Sequence, residues 1–203
     1  DLYGIILLPE TAIGADIEAA RKLLIDRGAA DGALAASYYT AWHSRNDIVE
    51  FKSANTSSLT NCGYAWSGCS NLGSFPSLDL SSSNNFVSTW DGCSSMSNFG
   101  PTEMSNGTNF SSAWKSCQSL TSFPAGAKLG TAAETGVNFA HAWRYCTSLL
   151  TFPALDLSNA TSLYSAFDGC NSLTSLGLID TSAVTNWGYA FRNCSSLNNI
   201  PLI

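Results

Sequence analysis

Ala113-Trp114-Lys115-Ser116-Cys117-Gln118-Ser119-Leu120-Thr121-Ser122-Phe123-Pro124 is the stretch on which the reading of the fold turns. Its large apolar residues fall three apart, an aromatic followed by Cys, Leu and Phe. Followed outward in both directions, the aromatic returns as Trp42, Trp66, Trp90, Trp114, Trp143, Phe167 and Phe191, in steps of 24 residues except for one of 29 before Trp143. Three residues after each lie Arg45, Cys69, Cys93, Cys117, Cys146, Cys170 and Cys194. Three further on come Ile48, Leu72, Met96, Leu120, Leu149, Leu173 and Leu197, and then Phe51, Phe75, Phe99, Phe123, Phe152, Leu176 and Ile200. Columns that stay in phase over so many copies define a repeat.

A unit of this length holds too few apolar side chains to bury a face of its own, so it must stack on its neighbours into a shared core. The aromatic-to-Cys segment, with apolar residues at i and i+3 and Ala before the aromatic at Ala65, Ala113 and Ala166, predicts a short helical or 3₁₀ turn. The Leu-x-x-Phe segment, closed by Pro76, Pro124, Pro153 or Pro201, predicts a short strand. Strand plus helical turn in every copy predicts an α/β repeat, a leucine-rich-repeat-like solenoid of about seven 24-residue coils over residues 37–203. The insertion falls between Ala125 and Gly136. Insertions in such arrays emerge as loops on one face, which makes Lys128 and Glu134 a candidate contact loop.

Residues 1–36 are different material. Of the 24 charged residues, 13 lie in residues 1–52. Tyr3 to Leu8 predicts a strand ended by Pro9, and Asp16 to Arg27 a helix with Asp16 as N-cap and Gly28 as its stop. The segment is expected to be a strand-helix cap over the first coil, or an attachment element that docks on another chain. At the other end the sequence stops in mid-coil at Ile200-Pro201-Leu202-Ile203, which predicts assembly contacts at the last coil, with other structural proteins or copies of itself.

Composition narrows the function classes. The chain has 203 residues, of which 45% are hydrophobic and only 12% charged, so it carries ample apolar surface to fold. A net charge of -6 with no basic run disfavours nucleic-acid binding. The longest apolar run, Leu2 to Leu8 interrupted by Tyr3 and Gly4, is too short to span a bilayer, and no membrane insertion is expected.

The run Ala113-Trp114-x-x-Cys117-x-Ser119-Leu120-Thr121-Ser122-Phe123-Pro124, together with Leu178-Ile179-Asp180-Thr181-Ser182-Ala183-Val184-Thr185-Asn186 leading to Ala190-Phe191-x-x-Cys194, resembles the BspA-like surface-protein leucine-rich repeats. Trp stands in place of the commoner Phe in five of the seven copies. The resemblance implies a non-catalytic extracellular repeat used for adhesion or display, of a kind found in bacterial surface proteins and in structural proteins of tailed phages.

Candidate chemistry is sparse. The ladder cysteines are spaced by the repeat and not by a short metal clamp, and parallel neighbours about 4.8 Å apart are too distant for a disulfide, so they read as small buried hydrophobes. Cys62 departs from its column of Phe86, Phe110, Phe139, Leu163 and Trp187, and pairing with Cys69 stays open. His43 shares a column with Ser67, Asp91, Lys115, Arg144, Asp168 and Arg192, which reads as a solvated face, and His141 likewise reads as a surface residue. Asp79, Glu103, Asp156 and Asp180 form an acidic column that reads either as turn residues bonding their own backbone or as a carboxylate pair or calcium site. The sequons at Asn55, Asn106, Asn109, Asn159 and Asn193 follow from a Ser/Thr/Asn-rich composition.

The outward strand positions Ser74, Asn98, Thr121, Ser122, Thr174, Ser175, Asn198 and Asn199 are small and uncharged, and form the candidate binding face for another protein or a cell-surface glycan. The expected function is a non-catalytic structural or display protein of a tailed-phage virion, a fibre, decoration or adhesion component without cofactor or metal. A bacterial cell-surface adhesin is the alternative, and a glycan-active enzyme using the acidic column a third reading.

Overall fold

The structure, a computed structural model, describes residues 6–7, 40–51 and 56–200. Its strands are β1 (Ile6–Leu7), β2 (Glu50–Phe51), β3 (Ser74–Phe75), β4 (Asn98–Phe99), β5 (Glu103–Met104), β6 (Lys128–Leu129), β7 (Val137–Asn138), β8 (Thr151–Phe152), β9 (Ala160–Ser162) and β10 (Ser175–Leu176). Successive windings lie parallel. β3 pairs with β4 through Ser74 with Asn98 and Phe75 with Phe99, and β8 with β10 through Thr151 with Ser175 and Phe152 with Leu176. Further ladders link β5 to β6 and β7 to β9, while single bridges join Asn61, Asn85, Asn109 and Asn138 in sequence.

The α/β leucine-rich solenoid predicted from the sequence is corrected here: among the described residues there is no helix, and the class is all-strand, with short parallel ladders joined by turns. The reason lies around each aromatic. Ala65, Ser67 and Cys69 donate their N–H groups three residues back to Cys62, Tyr64 and Trp66, whereas Tyr64, Trp66 and Gly68, between them, donate to Val87, Thr89 and Asp91 of the next winding. Alternate residues thus serve their own turn and the neighbour. A helix would need every N–H for itself. Left-handed residues two before and two after the aromatic, such as Tyr64 (φ 56°) and Gly68 (φ 74°) or Ser112 (φ 57°) and Ser116 (φ 59°), also break any helical run.

The core is one cluster built as columns. Trp66, Trp90, Trp114 and Trp143 are fully buried, and their rings stack at centroid distances of 5.7, 5.4 and 5.5 Å. A parallel column runs from Phe51 through Phe75, Phe99 and Phe123 to Phe152, meeting the Trp column edge to face, as Phe99 meets Trp90 at 4.9 Å. Leu72, Leu120, Leu149 and Leu173 fill the space beside them. Trp42 is also buried, as is Phe167, while Phe191, Cys194 and Leu197 of the last described winding are only partly covered.

Of the expected N-terminal cap, the structure describes Ile6–Leu7, which pair antiparallel with β2 at one edge of the first sheet. The helix expected over Asp16 to Arg27 lies outside the described residues, as do Asn55 and Pro201 to Ile203.

Candidate interaction surfaces

The candidate strand face is brought together by the ladders. Ser74 and Asn98 are paired neighbours, Ser122 bridges to Thr151, and Ser175 bridges to Asn199. Asn98, Thr121, Ser122, Thr174, Ser175, Asn198 and Asn199 are exposed and Ser74 is half-buried. Thr174 Oγ1 donates back to the Leu150 carbonyl at 3.0 Å, so part of this row is engaged along the stack. Leu150 itself, half exposed at 50%, supplies the one large apolar side chain in it.

The acidic column divides by environment. Asp79 accepts the Ser81 N–H at 3.0 Å, Asp156 accepts both the N–H and the hydroxyl of Ser158, and Asp180 accepts the Ser182 N–H at 2.9 Å. These are turns closed on their own backbone. The hydrogen bonds from Ser81 and Ser182 hold the Asp79 and Asp180 carboxyls below their ordinary range. Glu103 sits beside Asp79 in the ladder; partial burial lifts its carboxyl, but hydrogen bonds from Lys128 and Ser105 outweigh this and leave it lowered. A general acid for glycoside cleavage needs the opposite shift.

Part of the insertion is laid into the ladder. Lys128 and Leu129 form β6 against β5, and Lys128 Nζ meets Glu103 Oε2 at 2.7 Å. Glu134, in the remainder of the insertion, is exposed. Lys128 and Glu134 both lie at the surface, and the Lys128 side chain stays 61% exposed while paired with Glu103.

Every ladder cysteine is a free thiol, Cys62 included. Their role goes beyond filling space. Cys93 Sγ donates to the Trp66 carbonyl at 3.1 Å, Cys117 to Trp90 at 3.2 Å, Cys146 to Trp114 at 3.1 Å and Cys170 to Trp143 at 3.1 Å. Each thiol ties its winding to the aromatic position of the one before. Burial pushes the thiols up, to about 11 at Cys62 and about 12 at Cys146. A comparable device went unread in the sequence: Asn61, Asn85, Asn109, Asn138 and Asn186 each accept the N–H two residues on, with the Ser162 hydroxyl in that role in the winding between the last two.

The charged column is where the sequence reading fails most. The expected solvated face holds Asp168 with no exposed surface at all. Its carboxylate receives Arg144 Nε at 3.1 Å, Arg192 Nε at 3.0 Å and Nη2 at 2.6 Å, and Asn193 Nδ2 at 3.1 Å. The Arg192 hydrogen bond, against the opposing effect of burial, keeps this carboxyl below its usual range. Asp91, three positions earlier in the same column, shifts the other way: burial lifts it, and its partner, Lys115 Nζ at 3.3 Å, does not compensate. The signal in the sequence was the alternation of Asp91, Lys115, Arg144, Asp168 and Arg192 at the repeat spacing.

Around Asp168 stand aromatic rings. The Arg144 guanidinium carbon lies 4.5 Å from the Tyr145 ring centroid and that of Arg192 lies 4.7 Å from Tyr189. Tyr145 is 39% and Tyr189 55% exposed. His141 is half-buried against Tyr164 and not at the open surface, while His43 is exposed. Burial, with Arg144 and Lys115 nearby, pulls the His141 imidazole below its ordinary range. Among the described residues no cluster of His, Cys, Asp and Glu has the form of a metal site, and no helix is long and apolar enough to cross a membrane. No protein-family model, curated protein or solved structure matches the chain, so no relative supports the BspA-like, phage or adhesion attributions.

Proposed function

We propose that the protein is a non-catalytic structural and display component, carried on a virion or cell surface, that works through contacts with a protein or a glycan. The observation that carries this reading is the row of exposed, uncharged Asn, Ser and Thr side chains on ladders whose windings are locked at their cores by stacked aromatics. Such a row presents repeated hydrogen-bonding groups on a stiff support, which suits recognition of an extended surface. The acidic column favours the same reading, since Asp79, Asp156 and Asp180 are committed to their own turns.

The test is an array of surface glycans and candidate partner proteins probed with the full chain, with reducing-end release measured on the glycans in parallel. The reading expects binding that falls when Asn98→Glu and Ser175→Glu place charge in the row, with no release of reducing ends. Hydrolysis that disappears in Asp79→Asn with Glu103→Gln, in a protein that still folds, would overturn it in favour of the enzyme.

A further inference from the structure

Asp168 is the one fully buried ionised side chain among the described residues. Burying a carboxylate is costly unless it is paired and hydrogen-bonded, and Asp168 meets that demand by gripping two guanidiniums from the windings on either side. The grip leaves donors over. A guanidinium has five N–H bonds. Arg192 spends Nε and Nη2 on Asp168, and Arg144 spends Nε on Asp168 and Nη2 on the Tyr145 hydroxyl. Each Nη1 therefore remains on a side chain whose rotamer is already fixed, and the Arg192 side chain is 45% exposed.

We propose that this Arg144–Asp168–Arg192 cluster, framed by the rings of Tyr145 and Tyr189, binds an acidic polysaccharide whose sugars carry carboxylates. The charge fits. The cluster carries one net positive charge on a chain of net charge -6, so an anionic polymer is drawn here and repelled elsewhere. Guanidinium matches carboxylate geometry, and both arginines are pre-organised, so little side-chain entropy remains to be lost.

The tyrosines indicate a sugar. The two phenol rings each carry a guanidinium over one face yet remain 39% and 55% exposed, and what is exposed offers apolar ring surface for sugar rings and hydroxyls for their hydroxyl groups, which an acidic peptide does not need. The backbone argues the same way: Tyr145 N–H donates to the Asp168 carbonyl and Gly169 N–H to the Arg192 carbonyl, so these N–H groups are not free to take on a peptide strand. The inference rests on the display reading, names the partner's chemistry, and places the contact on the turn side of the windings and not on the strand row.

Calorimetric titration of the full chain with polygalacturonate, dextran and polyglutamate at low and high salt tests it. Polygalacturonate should bind in a salt-sensitive way, with dextran and polyglutamate weaker by about tenfold or more, and Arg192→Gln should weaken it by about tenfold, the scale of a lost charge-assisted hydrogen bond. Tyr189→Ala removes an exposed ring without opening the core and should also weaken polygalacturonate while leaving the melting temperature in place. Polyglutamate bound as well as polygalacturonate, dextran bound equally, unchanged affinity in Tyr189→Ala, or no binding of any polymer would each overturn the assignment and leave the display reading standing. Shortening of the polygalacturonate chain during incubation would instead overturn the display reading.

Discussion

Replacing Trp90 by Phe should cost almost nothing, although Trp90 is fully buried in the middle of the aromatic column. Its ring stacks between Trp66 at 5.7 Å and Trp114 at 5.4 Å, and meets Phe75 and Phe99 edge to face at 5.0 and 4.9 Å. Removing it altogether, as in Trp90→Ala, forfeits all these contacts and leaves a large cavity, for a loss of about 5 kcal/mol. The Phe variant keeps a ring in the stack. It gives up about 1 kcal/mol of transfer free energy and roughly 1 kcal/mol for about 40 Å³ left unfilled. Against this stands the indole N–H, which is buried with no hydrogen-bond partner. Deleting an unsatisfied buried donor returns about 1 to 3 kcal/mol, so the sum lies within about 1 kcal/mol of zero. The column already tolerates Phe at Phe167 and Phe191. Urea unfolding followed by far-UV circular dichroism, with the slope checked against the parent protein, measures the difference. A loss above about 3 kcal/mol for Trp90→Phe, the range of a truncated core aromatic, would refute the claim that the donor is unpaired.

Gly92 and Gly169 have nearly the same left-handed φ, 77° and 79°, so Ala at either costs about 1 to 2 kcal/mol of backbone strain. At Gly169 the new Cβ would lie 2.5 Å from Tyr145 Cδ1, against 3.6 Å from Gly68 Cα at Gly92, so only Gly169→Ala should also displace Tyr145 and weaken polygalacturonate binding. Equal binding by both variants would show that Tyr145 is not part of the surface. The lowered carboxyl of Asp168 contributes stability that is complete above its unfolded value, about 3.9, and is lost as pH falls through the lower folded value. The melting temperature should therefore drop below about pH 4, less steeply in Asp168→Asn, and identical acid limbs would contradict the buried ion cluster. His141 works in the opposite chemical sense but the same pH direction: with its folded value depressed, protonation near and below about 6.5 favours unfolding, and His141→Gln should flatten that part of the melting profile. Native thiol labelling read by mass spectrometry should reach the partly exposed Cys194 before the buried Cys93 and Cys117; early modification of Cys117 would mean that the windings open.

The columns were legible because Trp, Cys and Leu recur at one spacing and only a stack of windings makes use of that. The helical turn was misread for a definite reason. Apolar residues at i and i+3 suit a helix, but they suit successive three-residue turns equally well, and what separates the two is the left-handed residue on each side of the aromatic. Glycine marks that position at Gly68, Gly92 and Gly169, while Ser116, Tyr145 and Asn193 adopt it without any such marker. The turn-closing Asn column stands in the sequence as Asn61, Asn85, Asn109 and Asn138, but in so Asn-rich a chain its spacing is far less conspicuous than that of the aromatics. The burial of Asp168 could not be read from its neighbours in the chain, because its partners Arg144 and Arg192 lie one winding away on either side.

A repeat of this kind separates what may vary from what may not. The aromatic, Cys and Leu columns face one another across the core, where a change in one winding is felt by the next through a ring stacked about 5.5 Å away. The charged column lies one residue beyond the aromatic on the far side of the turn, so it changes from Ser67 to Asp91 to Lys115 without disturbing that core. Arg144 Nε and Arg192 Nη2 bond the same Asp168 oxygen, at 3.1 and 2.6 Å, so the two guanidiniums lie well within the screening length of about 8 Å at physiological salt. Left alone, the two cations would repel and turn toward water. With Asp168 buried between them they are held on one side of the stack and act on the same anion, so specific recognition arises where consecutive windings differ and the core beneath them stays constant.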